Sequence, residues 1–192
     1  MNVISTNCAG SYIMTSGTEP LGNPFSWAFT PYKSIKALLE HFYDINFANI
    51  QLTESAKWKA TYTLTIDDMV DIYYIHYHFN PYRKIPYKEN NDISMCNIWE
   101  YIIDKYLLRT KRMIENGVQP VFLILQNNSC GTTDEFIELY NSFPTSEFKI
   151  CWGVFDNCLV QSRSNVIRIG PNELPRHIVN RCSHEINTLL FK

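Results

Sequence analysis

From residue 93 to the C-terminus the chain alternates helix-like and strand-like patterns, and this alternation constrains the fold more than any other feature. A helix is predicted from about Ile93 to Asn116. Met95, Trp99, Ile102, Ile103, Tyr106, Met113 and Ile114 form its expected buried stripe, and Gly117 is its C-terminal stop. Val118 to Leu125 is then an unbroken apolar run, as expected for a strand covered on both faces. Thr132 or Thr133 can cap a helix over Asp134–Phe143, whose early acidic residues suit the helix dipole. Strand patterns follow at Phe148–Val154 and Val166–Ile169. A last helix spans Leu174–Phe191, with Ile178, Cys182, Ile186 and Leu189 on one stripe. Strands separated by helices pair side by side in parallel, so this half of the chain implies a parallel or mostly parallel sheet with helices on its faces.

The first half reads differently. Residues 2–6 suit a short strand and Ala9–Ser16 a helix that Gly17 ends, after which Thr18–Pro24 is rich in turn formers. Pro31 stands at a helix start, with Ile35, Leu38, Leu39 and Phe42 at helical spacing. Residues 57–66 alternate: Trp58, Ala60, Tyr62, Leu64 and Ile66 fall on one side, and Lys57, Lys59, Thr61, Thr63 and Thr65 on the other. Asp67-Asp68 makes a turn into a second β-rich run, Val70–Phe79. The expected architecture is one α/β domain over residues 1–192, a mostly parallel sheet with flanking helices and an antiparallel hairpin addition.

Charge and composition narrow the function classes. A net charge of −2 leaves no electrostatic footprint for nucleic acid, and Arg109, Lys111 and Arg112 read as a solvated helix face. No apolar run approaches the roughly 20 residues of a membrane span, so no membrane association is expected. The N-terminal residues lack a basic segment followed by a long apolar one, so no secretory signal is read there. The six cysteines, at 8, 96, 130, 151, 158 and 182, contain no C-x-x-C pair; free thiols in a reducing, cytoplasmic setting are the expectation. The nucleotide-binding, serine-hydrolase and zincin motifs are missing, and no cofactor is expected.

Chemistry gathers at Asn7-Cys8-Ala9-Gly10-Ser11, directly after the first strand and before a short helix. A thiol there gains thiolate character from the helix dipole and free backbone N–H groups, which could also bind an oxyanion during acyl transfer. The other reading of Cys8 is a buried, structural cysteine. The run Asn7-Cys8, Gly17, Asn23-Pro24-Phe25-Ser26-Trp27 and Pro31 to Phe42 resembles the opening of a family described as papain-like cysteine peptidases. In that family a Cys after the first strand precedes a Pro-Phe-Asp-Trp block and an amphipathic helix. Ser26 stands here where Asp is usual, which leaves the carboxylate's role lost or taken by a hydroxyl. Softer similarity continues through Tyr74–Phe79, Tyr82-Arg83 and the Arg109/Arg112 helix into Val121-Phe122-Leu123, so the likeness spans about residues 3–126.

The resemblance implies a histidine base just before the Phe ending the second hairpin strand, which is His78, with His76 the next choice. Residues i and i+2 of a strand share a face, so the two imidazoles stand together. Such an H-x-H pair also begins some zinc sites, but no third ligand sits at diagnostic spacing. His41, His177 and His184 read as surface residues. Asp156, Asn157, Asn127 and Asn128 follow predicted strand ends and could orient the base; Asp156 is the choice among them. Asn7, Ser26, Trp27, Arg83 and Asn127 are the candidates for substrate binding. The resulting expectation is a cysteine-dependent hydrolase or acyl-transfer enzyme acting on a protein, peptide or small acyl substrate. The alternative is a non-catalytic interaction module that retains the fold.

Overall fold

The computed structural model describes residues 2–7, 9–15, 23–25, 28–54, 61–75, 95–115, 117 and 119–191, which form eight strands and five helices. In chain order these are β1 (Val3–Ser5), α1 (Ala9–Thr15), β2 (Ala28–Phe29), α2 (Tyr32–His41), β3 (Ile50–Glu54), β4 (Thr61–Ile66), β5 (Val70–Ile75) and α3 (Met95–Glu115). They continue with β6 (Val121–Leu125), α4 (Thr133–Ser142), β7 (Ile150–Phe155), β8 (Val166–Ile169) and α5 (Pro175–Phe191).

The second half forms the sheet its alternation predicts. Strands run β1-β6-β7-β8, all parallel, with Ile4 opposite Phe122, Leu123 opposite Cys151 and Gly153 opposite Ile167. Phe122 to Leu125 are fully buried, the burial expected of a strand covered on both faces. Helices α1 and α5 contact each other and pack on β1, β7 and β8. On β7, Trp152 meets Phe136 and Tyr140 of α4 edge-on, so strand alternation turns Cys151 and Gly153 to the other face. Thr132 caps α4 by accepting from the Glu135 N–H at 3.2 Å, while the Glu135 carboxylate accepts from the Thr132 N–H at 2.6 Å.

The antiparallel part is larger than a hairpin addition. β2-β5-β4-β3 form a second four-stranded sheet, so the expected mostly parallel architecture is corrected to two sheets of equal strand number. The hairpin itself is present, with Leu64 opposite Ile72 and Ile66 opposite Val70, and all four are fully buried. Asp67 and Asp68 take the left-handed conformation, with φ of 51° and 56°. The Asp67 carboxylate accepts from the Asn46 N–H and from Asn49 Nδ2, both at 3.0 Å, and these bonds hold its pKa below the usual carboxylate value. β3 adds the third strand, pairing Leu52 with Leu64. Its alternation of Ile50 and Leu52 with Gln51 and Thr53 is too short to stand out from the preceding turn.

Two helix stripes also need adjustment. On α3, Tyr106, Thr110 and Met113 are buried, one full turn apart, while Ile114 is 61% exposed because it lies about 100° around the helix from Met113. On α5 the buried line is Ile178, Cys182, Ile186 and Leu190, with Leu189 half-buried; the helix kinks at Cys182, where φ is −103° and ψ 17°.

The link from β7 to β8, residues 156–165, has no helix although the strands are parallel, and side chains hold it instead. Arg163 donates to the Tyr140 and Phe143 carbonyls (2.8 and 3.0 Å) and stacks 3.8 Å from the Tyr140 ring centroid. Arg168 donates to the Phe155 and Cys158 carbonyls (3.1 and 3.0 Å). Arg181 of α5 binds Glu173 at 2.7 Å and the Arg168 carbonyl at 2.9 Å, fastening α5 to β8.

Two stability outcomes follow from this packing. A Cβ on Gly153 would collide with the Leu125 side chain inside the core, so Gly153→Ala should lower unfolding free energy by about 1–3 kcal/mol in a urea titration. The Glu173 pKa is depressed, chiefly by its hydrogen bond from Arg181. Its contribution is therefore present above the unfolded-state pKa and lost as pH falls through the folded-state value. Thermal melts of wild type and Glu173→Gln should differ at pH 7 and converge only as pH falls below the ordinary Glu pKa of about 4.3.

Candidate functional site

The carboxyl edge of the parallel sheet collects the loops after β1, β6, β7 and β8, and the sequence-predicted residues that are described lie there. Thr6 and Asn7 follow β1 directly. The Thr6 hydroxyl accepts from the Leu125 N–H at 2.9 Å and donates to the Leu125 carbonyl at 3.0 Å, extending the β1–β6 ladder by one rung. Asn7 is 4% exposed, and its Oδ1 accepts from the Ala9 N–H at 2.9 Å, capping α1. That N–H is therefore already engaged and is not one of the free donors expected for an oxyanion. α1 returns closely along β1: a Cβ on Gly10 would approach the Ser5 Cβ to 2.8 Å.

The free edge of β1 is covered by the segment that carries the family-like block. Asn23 Nδ2 donates to the Val3 carbonyl at 2.6 Å, and its Oδ1 accepts from the Phe25 N–H at 3.0 Å. Phe25 is 2% exposed, as a loop pinned by a buried aromatic requires. Five residues on, the Thr30 N–H donates to the Thr6 carbonyl at 3.1 Å. The same carbonyl accepts from the Cys130 thiol at 2.9 Å. Thr30 Oγ1 is fully buried without a hydrogen-bond partner.

Tyr32, at the start of α2, ties this segment to the loop after β6. Its hydroxyl accepts from the Asn127 N–H at 2.5 Å and donates to the Asn127 carbonyl at 3.0 Å, while its own N–H donates to the Cys130 carbonyl at 3.1 Å. Burial first, and then the neighbouring Cys130, raise the phenol pKa far above its ordinary value. Asn127 spends its side-chain oxygen on the Ser129 N–H at 2.8 Å, an Asx turn. Gln126, buried, accepts from the Phe155 N–H at 2.9 Å and bridges the ends of β6 and β7.

Asp156 is exposed after β7, with its N–H on the Ile169 carbonyl at 3.1 Å and its charge acting on Arg181. It stands two strands from β1, roughly 10 Å across the sheet. Cys8, His76, His78, Ser26, Trp27 and Arg83 lie outside the described residues, although a residue next to four of them, Cys8, Ser26, Trp27 and His76, is described. Cys8 falls between Asn7 and Ala9. His76 follows Ile75, the end of β5, and Trp27 precedes β2, which pairs with β5 through Ala28 opposite Tyr74.

Thr6, Tyr32, Gln126 and Cys130 were not singled out from sequence. Gln126 had a signal, a polar residue directly after a five-residue apolar strand, but Cys130 and Tyr32 meet Thr6 only through the sheet order. Burial pushes the Cys151 thiol up to about 12 and raises that of Cys182, which makes them poor nucleophiles. His41, His177 and His184 are exposed, as expected. Among the described residues no helix is long and apolar enough to cross a membrane.

These features define an α/β protein whose parallel sheet carries a buried polar junction at its carboxyl edge. No family model matches the chain. It is similar to an uncharacterized protein of Haemophilus influenzae, 26% identical over 144 residues, which are 75% of this chain and 57% of that protein. The chain thus matches little more than half of that relative's length.

Tyr32→Phe tests the junction. It strips the hydroxyl from both backbone groups of Asn127 and should cost about 1–3 kcal/mol in denaturant unfolding with little change in fold by circular dichroism.

Proposed function

We propose that the protein is a cysteine-dependent hydrolase or acyl-transfer enzyme related to the papain-like cysteine peptidases, with Cys8 as nucleophile and His78, or else His76, as base. The observation that supports this reading is the setting of the residues around Cys8. Asn7 closes β1 at the carboxyl edge of a parallel sheet and caps the helix that starts at Ala9. Strand-to-helix turns at that edge are where α/β proteins place reacting groups. The covered edge of β1 also brings the antiparallel sheet, whose β5 leads into His76, against Thr6 through Thr30.

In the reaction the imidazole takes the Cys8 thiol proton and the thiolate attacks the substrate carbonyl carbon. The tetrahedral intermediate collapses as the imidazolium protonates the leaving amine or thiol, and water, deprotonated by the same imidazole, then hydrolyses the thioester. Peptides, isopeptides and thioesters all fit that scheme. Asn7 acts as a positioning residue, since its oxygen is committed to Ala9. Asp156, exposed after β7 with its charge acting on Arg181, is the residue chosen to orient the base. Ser26, Trp27 and Arg83 belong to the substrate side by family likeness alone.

Iodoacetamide labelling against pH tests the proposal. Cys8 should react ahead of the other five cysteines, with a midpoint below the ordinary thiol pKa of about 8.5. His78→Ala, or His76→Ala if that residue is the base, should move the midpoint upward. Labelling of Cys8 only after denaturation would overturn the nucleophile and favour an interaction module.

A further inference from the structure

The amino end of the parallel sheet carries a cleft that the proposed reaction does not use. It measures about 430 Å³ and lies where β1, β6 and β7 begin and α5 ends. Small-molecule sites commonly span about 300–1,000 Å³ and are mostly apolar with a few polar anchors. Pro120, Val121, Leu190 and Phe191 supply the apolar lining here. The polar side chains of the described lining differ in what they still offer. Asn2 Nδ2 donates to the Met113 carbonyl at 3.4 Å, and Gln119 Nε2 donates to the Tyr43 hydroxyl at 3.5 Å and the Glu147 carbonyl at 3.3 Å. Lys149 is held through its backbone, whose carbonyl accepts from the Phe122 N–H at 2.9 Å. Its side chain is exposed, and the ammonium enters no hydrogen bond or ion pair among the described residues. Lys149 also borders a second cleft, of about 300 Å³, whose described lining again contains no carboxylate.

We infer that the larger cleft binds a small amphipathic anion, a carboxylate with an unbranched apolar tail, its head against Lys149 and its tail along Val121, Leu190 and Phe191. Charge complementarity selects the head. The described lining presents one cation and no counter-charge, so an anionic head gains an ion pair that a neutral or cationic head does not. The carbonyl end of α5 opposes an anion with only about half a charge, confined to its last turn, against the full charge of Lys149. The amide nitrogens of Asn2 and Gln119 already donate within the protein, which leaves Lys149 as the anchoring group. The apolar lining selects the tail, because each methylene that leaves water along it strengthens binding about three- to fourfold. The five residues of β6, roughly 15 Å of strand, separate this cleft from the carboxyl edge, so the inference stands apart from the proposed reaction.

The test titrates the intact chain with sodium octanoate, followed by amide proton–nitrogen correlation NMR. Saturable shifts should gather at Gln119, Val121, Lys149, Leu190 and Phe191. Butyrate should bind about tenfold or more weakly than octanoate, since its tail leaves most of the apolar lining uncovered. Octan-1-ol should bind more weakly than octanoate, and octyltrimethylammonium more weakly still. Lys149→Gln should weaken octanoate about two- to fivefold, the range of an exposed ion pair, while Lys149→Arg should retain it. Phe191→Ala should weaken octanoate more than butyrate. Lys149 is exposed, so its substitution should leave the rest of the spectrum unchanged. Absence of saturation, or saturable shifts confined to other parts of the chain, would overturn the inference. Equal octanoate affinity in wild type and Lys149→Gln would do the same, as would equal affinity for butyrate and octanoate.

Discussion

The structure turns on one carbonyl. The oxygen of Thr6, the first residue past β1, receives hydrogen bonds from the Thr30 N–H and the Cys130 thiol, while the Thr6 hydroxyl continues the ladder to Leu125. Three stretches that are far apart in the chain meet at this residue: the end of β1, the chain between β2 and α2, and the loop after β6. Edge strands normally leave a row of unpaired groups open to association, and here the 23–30 stretch covers β1 at Val3 and again at Thr6. The two sheets are joined at this line. Tyr32 makes the joint rigid, because its hydroxyl takes both backbone groups of Asn127 while its N–H takes the Cys130 carbonyl.

A joint of this kind explains why an antiparallel sheet can be inserted between two adjacent parallel strands. β1 and β6 are neighbours in the sheet but lie more than a hundred residues apart in the chain, and β2 through α3 fill the gap. Closing such a long loop costs only slightly more entropy than closing a short one, provided that contacts at its ends offset the cost. Those contacts are buried and polar at the β1 end. At the other end of the insertion α3 meets the start of the chain through Asn2 Nδ2, which donates to the Met113 carbonyl at 3.4 Å.

How much of this could be read from sequence depends on how local its physics is. The Val121–Leu125 strand, a threonine cap at 132 or 133, and the hairpin around Asp67-Asp68 are written in neighbouring residues, and pattern reading found them; the structure gives the cap to Thr132, with Glu135 completing a capping box. β3 escaped because five residues with two apolar side chains carry little periodicity, and β2 because two residues carry none. Without them the antiparallel sheet shrank to a hairpin. Ile114 misled because it lies about 100° around α3 from the buried Met113, as the exposed Leu107 does from the buried Tyr106. At the candidate site, Asn7 and Asn127 were legible as strand-end polar residues. The roles they hold, a helix cap and an Asx turn, use their oxygens on local backbone. Cys130 was invisible as a site residue because its relation to β1 exists only once β6 lies beside β1.

The two ends of the parallel sheet are not equivalent. At the amino end, clefts of about 430 Å³ and 300 Å³ flank Lys149, lined by Pro120, Val121 and Leu190 on one side and Phe143, Phe148 and Asn165 on the other. They are open, and their described lining includes Thr145, Ser146 and Lys149 but no cysteine or histidine. At the carboxyl end, the Thr30 N–H and the buried Cys130 thiol both reach the carbonyl of Thr6, the residue that follows β1. Reactive chemistry needs groups held in fixed geometry by others that are themselves satisfied. Thr6, Asn7 and Tyr32 each complete their bonds to backbone and so form a support of that kind. The same support explains why a cysteine at position 8 is a more specific proposal than a cysteine in Cys151's place. Cys151 has no such surround: it lies within β7 opposite Leu123 of β6, and burial raises its thiol pKa.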